Sequence, residues 1–156
     1  MGITKLFKFA CVKSGLIAGI VAAFFVTSVQ AQDAIADRKA MMQAVGASMK
    51  ASGAMAKGQK PFDAGTAELA MRAMNAVALG IDSKFPANSK TGGKTTSAPK
   101  IWEDMGGFKA ALAKFAADTN AGIAAAKGGE ASWKAAFGKV AQNCKGCHQS
   151  YRVKKK

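Results

Sequence analysis

The sequence is poor in the residues from which most metal sites and acid–base sites are built. A single histidine, His148, and three cysteines, Cys11, Cys144 and Cys147, occur in 156 residues. One histidine excludes most histidine-based catalysis. So small a set of N and S donors also excludes nearly every all-protein zinc site, because a structural zinc needs four ligands. Only three prolines and one tyrosine are present, and β-branched residues are sparse beside alanine, lysine, methionine and glycine. That composition favours helix and argues against a sandwich or barrel. Acidic residues are scarce too, nine against 23 Lys and Arg, for a formal net charge of +14. What is plentiful is apolar side chain, 49% of the chain, enough to build a core in one compact domain.

The N-terminus reads as a secretory leader over residues 1–31. Lys5, Lys8 and Lys13 supply a basic start, Leu16 to Val29 an apolar run, and Val29-Gln30-Ala31 a small-residue cleavage signal. The run is shorter than the ~20 residues of a membrane span. Cys11 precedes the run, where a lipoprotein cysteine would not lie. Cleavage after Ala31 would leave residues 32–156 as one domain in the periplasm. The three leader lysines would go and every acid would stay, taking the formal charge from +14 to +11.

Apolar positions then recur at helical spacing in four blocks. The first steps through Ile35, Arg38, Met42, Val45, Met49 and Ser52, with Asp33 as N-cap and an end at Gly58 and Pro61. The second starts at Asp63 and carries Ala67, Met71, Met74, Val77 and Ile81, stopping before Pro86. Residues 85–98 show no periodicity and read as a surface crossover loop. The third begins near Pro99 and lines up Trp102, Met105, Phe108, Leu112, Phe115, Thr119 and Ile123 before Gly128-Gly129. The fourth runs from Glu130 with Trp133, Phe137, Val140, Cys144, Cys147 and Tyr151 inward. Lys154, Lys155 and Lys156 suit its C-terminal dipole. The fold class is all-α, an antiparallel four-helix bundle. Its many Ala and Met stripe residues would leave room for a bulky guest.

One motif is specific. Cys144-Lys145-Gly146-Cys147-His148 is C-x-x-C-H, the attachment signature of c-type haem. Positions i, i+3 and i+4 share a helix face. Two thiols at that spacing can add across the two vinyl groups of one haem, and the next residue presents an imidazole to the iron. A thioredoxin-like dithiol would need a βαβ setting, and a disulfide across one turn would leave the adjacent histidine unexplained. Export fits, because haem consumes both thiols in a compartment that would otherwise oxidise them. The expected cofactor is one covalent haem c, with His148 as axial ligand. No second histidine exists for the other side, and lysine would have to lose its proton at neutral pH. Methionine sulfur needs no titration and stabilises reduced iron.

With this motif near its C-terminus, residues 33–156 resemble the class II c-type cytochromes, the cytochrome c′ family. The markers are Arg38-x-x-x-Met42-x-x-x-Gly46, Lys57-Gly-Gln-Lys-Pro-Phe62, Phe85-Pro86, Pro99-Lys-Ile-Trp102, and Cys144 through Tyr151-Arg152. The Met41-Met42 pair and Gly46 look closest to the low-spin cytochrome c-556 type. The resemblance implies a four-helix bundle in which the residue four after the helix-one arginine, here Met42, faces the distal side of the haem. In the c-556 type that residue is the sixth ligand. In cytochrome c′ the iron is often five-coordinate, sometimes with an unbound methionine at this position. The resemblance also places Arg38 at a haem propionate and Arg152 near the proximal pocket. Met41 lies ~100° round the helix from Met42, and Met49 reads as core, as do Trp102 and Trp133.

The reading that follows is a periplasmic electron carrier, not an enzyme. A five-coordinate haem protein binding NO or CO is the alternative. Peroxidase-like chemistry would need a distal acid–base group, and only Asp37 lies near Met42. The basic charge favours redox partners with acidic surfaces, and association with an anionic membrane surface without spanning it. No motif supports nucleic-acid binding. Monomer and homodimer both remain open.

Overall fold

All three prolines fall between helices, where the chain has to turn: Pro61 ahead of the second helix, Pro86 in the crossover and Pro99 ahead of the third. In this computed structural model the backbone is described for residues 18–153, and side chains at Ala31 and from Asp33 onward. The helices are α1 (Ala18–Ala56), α2 (Ala64–Gly80), a single-turn α3 (Lys100–Glu103), α4 (Met105–Lys127) and α5 (Glu130–Tyr151). Two 3-10 turns, Ile81–Lys84 and Ala87–Ser89, lie in the crossover. The four long helices form the bundle, with α2 packed along α4, α4 along α5 and α1 along α2. Among the described residues there is no strand, only an isolated bridge between Ser97 and Arg152.

The stripes read from the sequence are the faces that pack. Ala67, Met71, Met74, Val77 and Ile81 of the second stripe are all buried, as are Phe108, Leu112, Phe115 and Thr119 of the third. Trp133 is fully buried at the far end of the bundle, stacked on Phe137 at 5.3 Å and tilted against Phe62 at 5.5 Å. Helices α2 and α4 come close enough that a Cβ on Gly122 would lie 2.7 Å from Met71 Sδ. Glycine at that point is a packing requirement.

Asp33 does not cap the first helix. It lies inside α1, because nothing in Gln30-Ala31-Gln32-Asp33 interrupts a helix and the next proline is Pro61. The boundary expected after Ala31 therefore falls within a continuous helix. Lys5, Lys8, Cys11 and Lys13 of the expected leader, and Lys154 to Lys156, lie outside the described residues. Among the described residues, no helix is long and apolar enough to cross a membrane.

The third helix is two pieces, not one beginning at Pro99. Asp104, at φ −135° and ψ 57°, leaves helical geometry after α3 and caps α4 by accepting a hydrogen bond from Gly107 N at 3.0 Å. The crossover is also more than a surface loop. Phe85 and Ser89 are buried, and Trp102 Nε1 donates to the Phe85 carbonyl at 2.9 Å. A side chain of α1 turns the carbonyls of this segment inward.

Candidate haem-binding site

Arg38 is that side chain. Although it carries a charge, it is only 3% exposed. Its Nη1 donates to the Lys84 carbonyl at 3.1 Å and to Ser89 Oγ at 2.9 Å. Its Nη2 donates to the Ser89 carbonyl and to Thr95 Oγ1, both at 2.9 Å. The guanidinium lies over Phe85 at 5.0 Å and Trp102 at 5.8 Å. Burial pulls its pKa down, and a guanidinium starts so high that it stays charged. One donor, Nε, is buried without a partner.

That arginine sits at the edge of a cavity of about 710 Å³ enclosed by α1, α4, α5 and the crossover. The volume lies within the range of about 300–1,000 Å³ typical of cofactor sites. Met42, Val45, Gly46 and Met49 line it from α1, and Phe108, Leu112 and Phe115 from α4. Cys144, Cys147 and His148 line it from α5, and Arg152 from the residue just after that helix. Every residue singled out from the sequence as a ligand or anchor therefore borders one space: Arg38, Met42, Cys144, Cys147, His148 and Arg152. Met41 does not. Its Cε points at α2, 3.8 Å from where a Cβ on Gly80 would be.

The α5 wall combines three groups suited to haem. Cys144 and Cys147 are half-buried, and burial pushes both thiols above their ordinary pKa of 9.0. Cys144 Sγ also lies 3.7 Å from the Val140 carbonyl one turn back. His148 keeps part of its ring in solvent. Partial burial, and then the positive charge of Arg152, lower its pKa from 6.5 and favour the neutral imidazole. Arg152 lies just beyond the end of α5. It is extended, at φ −121° and ψ 137°, and pairs with Ser97. Tyr151 O accepts from Ala98 N at 3.0 Å and Thr96 O accepts from Val153 N at 2.9 Å, so the crossover is strapped to the end of α5 beside the cavity.

The sequence matches the family described as Cytochrome C′ over residues 33–152. The chain belongs to that family. A curated cytochrome c′ of Rhodopseudomonas palustris is 41% identical over 139 residues, 89% of this chain and 94% of that one. A cytochrome c-556 of Agrobacterium tumefaciens is 38% identical over 118 residues, 76% of this chain and 95% of that one. The solved cytochrome c′ of Rhodopseudomonas palustris superposes with a TM-score of 0.74 at 40% identity, covering 80% of this chain and 98% of its own. The class II assignment and the four-helix bundle stand on these matches. Relatives under both names match at similar identity, so the likeness does not single out the c-556 type. The family carries covalent haem c with its iron. The residues present fit that group: two thiols and an imidazole on one helix face, apolar walls, and a buried guanidinium donor left over at the edge.

Three features of the site carried little or no sequence signal. Met49 packs against the core, as read, and also borders the cavity; its place one heptad after Met42 was the available hint. Ser89 and Thr95, which hold Arg38, lie in a segment without periodicity. The third is the pairing of Asp104 with Tyr151, whose hydroxyl donates to Asp104 Oδ2 at 3.0 Å. A Cβ on Gly107 would lie 2.5 Å from that carboxylate oxygen and 2.6 Å from the hydroxyl, so only glycine lets the pair close over the start of α4.

The hydrogen bond from Gly107 N, and then that from Tyr151, hold the Asp104 carboxyl below its ordinary pKa of 3.8. A depressed carboxylate contributes stability above its unfolded-state value, and that contribution is lost as pH falls through the lower folded-state value. Asp63 and Asp118 have pKa values shifted the same way. Asp104→Asn is therefore expected to flatten the acid limb of the stability curve. Urea denaturation of the holoprotein from pH 6 downward checks this: the gap between wild type and variant should narrow as pH drops below about 4.

Proposed function

We propose that this chain is a periplasmic electron-transfer protein. One haem c is held by thioether bonds from Cys144 and Cys147, with His148 as proximal ligand and Met42 as sixth ligand. The observation that carries this reading is that Met42 and His148 border the same cavity from different helices while Met41 faces away. Bound haem supplies a metal that cycles between ferric and ferrous states. The protein then has to change little between the two. Met42 is neutral in both, His148 is favoured as neutral, and apolar side chains from α1 and α4 keep water from much of the cavity wall. Arg38 Nε, buried and unpartnered, is suited to donate to a propionate, a charge-assisted bond. Arg152, which lowers the His148 pKa by its charge, is placed to act on the proximal side. Export through cleavage after Ala31 completes the reading, because covalent haem accounts for two cysteines that an oxidising compartment would not leave free.

A second reading has an observation of its own. Relatives named cytochrome c′ match this chain as well as those named cytochrome c-556 do. In this reading Met42 stands aside and leaves a five-coordinate haem open to NO or CO. A point mutant of cytochrome c prime from Alcaligenes xylosoxidans, 27% identical to this chain, was solved as a nitric oxide complex. Optical and EPR spectra of the holoprotein, with and without carbon monoxide, separate the two. The electron-carrier reading expects low-spin ferric haem and slow, weak carbon monoxide binding. A high-spin ferric spectrum with ready binding would replace it with the gas-binding reading.

A further inference from the structure

The charges of this protein are not evenly spread around the cavity. Arg38, Lys39, Lys94 and Arg152 border it, and no carboxylate does. Lys39, Lys94 and Arg152 are exposed, as is Lys145 within the C-x-x-C-H turn. Among the described residues none of these four is in an ion pair. Arg72, Lys84, Lys109, Lys114 and Lys134 are each matched to an acid within 4 Å, while Lys50, Lys57, Lys60, Lys90, Lys100, Lys127 and Lys139, away from the cavity lining, are in no ion pair either among the described residues; what sets the rim apart is that its lining holds cations and no carboxylate. The acids nearest the rim are already engaged. Asp37 meets Lys84 at 2.8 Å, Asp104 caps α4 and accepts from Tyr151, and Asp118 is held by Lys114 and Asn143. The cavity is thus bordered by cations and by no carboxylate where the cofactor would come nearest to solvent.

We propose that the exposed rim formed by Lys39, Lys94, Lys145 and Arg152 is the docking surface for a redox protein with a carboxylate-rich face. This inference rests on the electron-transfer reading of the same site. Unpaired cations around a low-dielectric opening raise the local positive potential and orient an anionic partner before contact. The single step is the passage of one electron from ferrous haem iron to an oxidised acceptor, leaving ferric haem and the acceptor reduced by one electron. Orientation at the rim shortens the path, because the partner then meets the protein over the cavity rather than over α2.

The test uses reduced holoprotein and plant plastocyanin, an acidic copper protein, as acceptor; Cu(II) becomes Cu(I) as Fe(II) becomes Fe(III). One variant carries Lys39→Glu and Lys94→Glu. A control carries Lys57→Glu and Lys60→Glu, the same charge change in the link between α1 and α2 at the opposite end, beside the Phe62–Trp133 contact. At about 0.01 M salt, where the screening length is about 30 Å, the rim variant is expected to react at least tenfold more slowly, and the control within about twofold of wild type. At about 1 M salt, where the length is about 3 Å, the three should converge. Equal slowing in both variants would show that net charge alone matters, and no slowing in the rim variant would remove the surface; either overturns the proposal. So would sedimentation of the wild type, but not the rim variant, with phosphatidylglycerol vesicles that abolish the plastocyanin reaction, since the rim would then be a lipid site. Should the glutamate pair fail to fold, Lys39→Gln with Lys94→Gln gives the same comparison with a smaller effect. Spectra taken first keep the two readings apart: a changed haem spectrum in wild type bears on Met42, an unchanged rate bears on the rim.

Discussion

Met42→Ala is expected to convert the ferric holoprotein from low-spin to high-spin and to open its iron to carbon monoxide. Met42 lines the cavity from α1, while the imidazole side is supplied from α5. If the thioether occupies the sixth position about 99% of the time, a ligand competing for that position sees about 1% of the protein. Removing the sulfur lifts that restriction, and apparent carbon monoxide affinity should rise about 100-fold. The stability cost is modest beside the spectral change, because Met42 is only partly buried. Met49→Ala is the necessary comparison. Met49 borders the same cavity two turns further along α1, and its loss should leave the spin state unchanged. A low-spin spectrum surviving in Met42→Ala and lost in Met49→Ala would transfer the ligand role to Met49. Ferric optical and EPR spectra read the spin state of each variant, and titration of the ferrous protein with carbon monoxide reads the affinity.

Arg38→Ala is expected to lower the stability of the holoprotein by about 3 kcal/mol or more. Four hydrogen bonds to Lys84, Ser89 and Thr95 depend on one guanidinium, and so do two aromatic contacts, to Phe85 and Trp102. Truncation leaves the Ser89 carbonyl and hydroxyl in a buried place without their donor, and an unmet buried polar group costs more than a formed bond contributes. A domain of this size has about 5–15 kcal/mol of total stability, so the loss is a large share. Arg38→Lys should recover only part of it, because an ammonium cannot reproduce the planar fork. Urea denaturation followed by circular dichroism measures the loss. Amide exchange should show faster opening of residues 84–98 than of α2 or α4. Uniform acceleration across the bundle would contradict the role of Arg38 as the clamp of the crossover.

The helical stripes were legible because burial imposes a periodicity of 3.6 on any helix packed along one face. Met71, Met74, Phe108, Leu112 and Phe115 could therefore be placed without coordinates. The covalent haem motif was legible for a related reason: its chemistry is local, and one turn of α5 holds both thiols and the imidazole. The breaks were not. Asp104 caps α4 in competition with a helix that local propensity would let run on from Pro99, and Tyr151, 47 residues away, supports the cap. The start of α1 erred the other way, since Asp33 has the chemistry of a cap but follows a helix-compatible run.

What the sequence determined by itself is the cofactor chemistry and the bundle, since both follow from spacing within single helices and from composition. With one histidine placed beside two cysteines, only a sulfur or an open position could be expected across the iron. Tertiary structure decided which side chains share the cavity. It put Met42 and Met49 inside and turned Met41 toward α2, and it drew Arg38 into a crossover that has no periodicity. It also set Arg38, Lys39, Lys94 and Arg152 around the cavity with no carboxylate among them. These arrangements depend on how one helix is rotated against its neighbours and on contacts some fifty residues apart, and no local spacing records either.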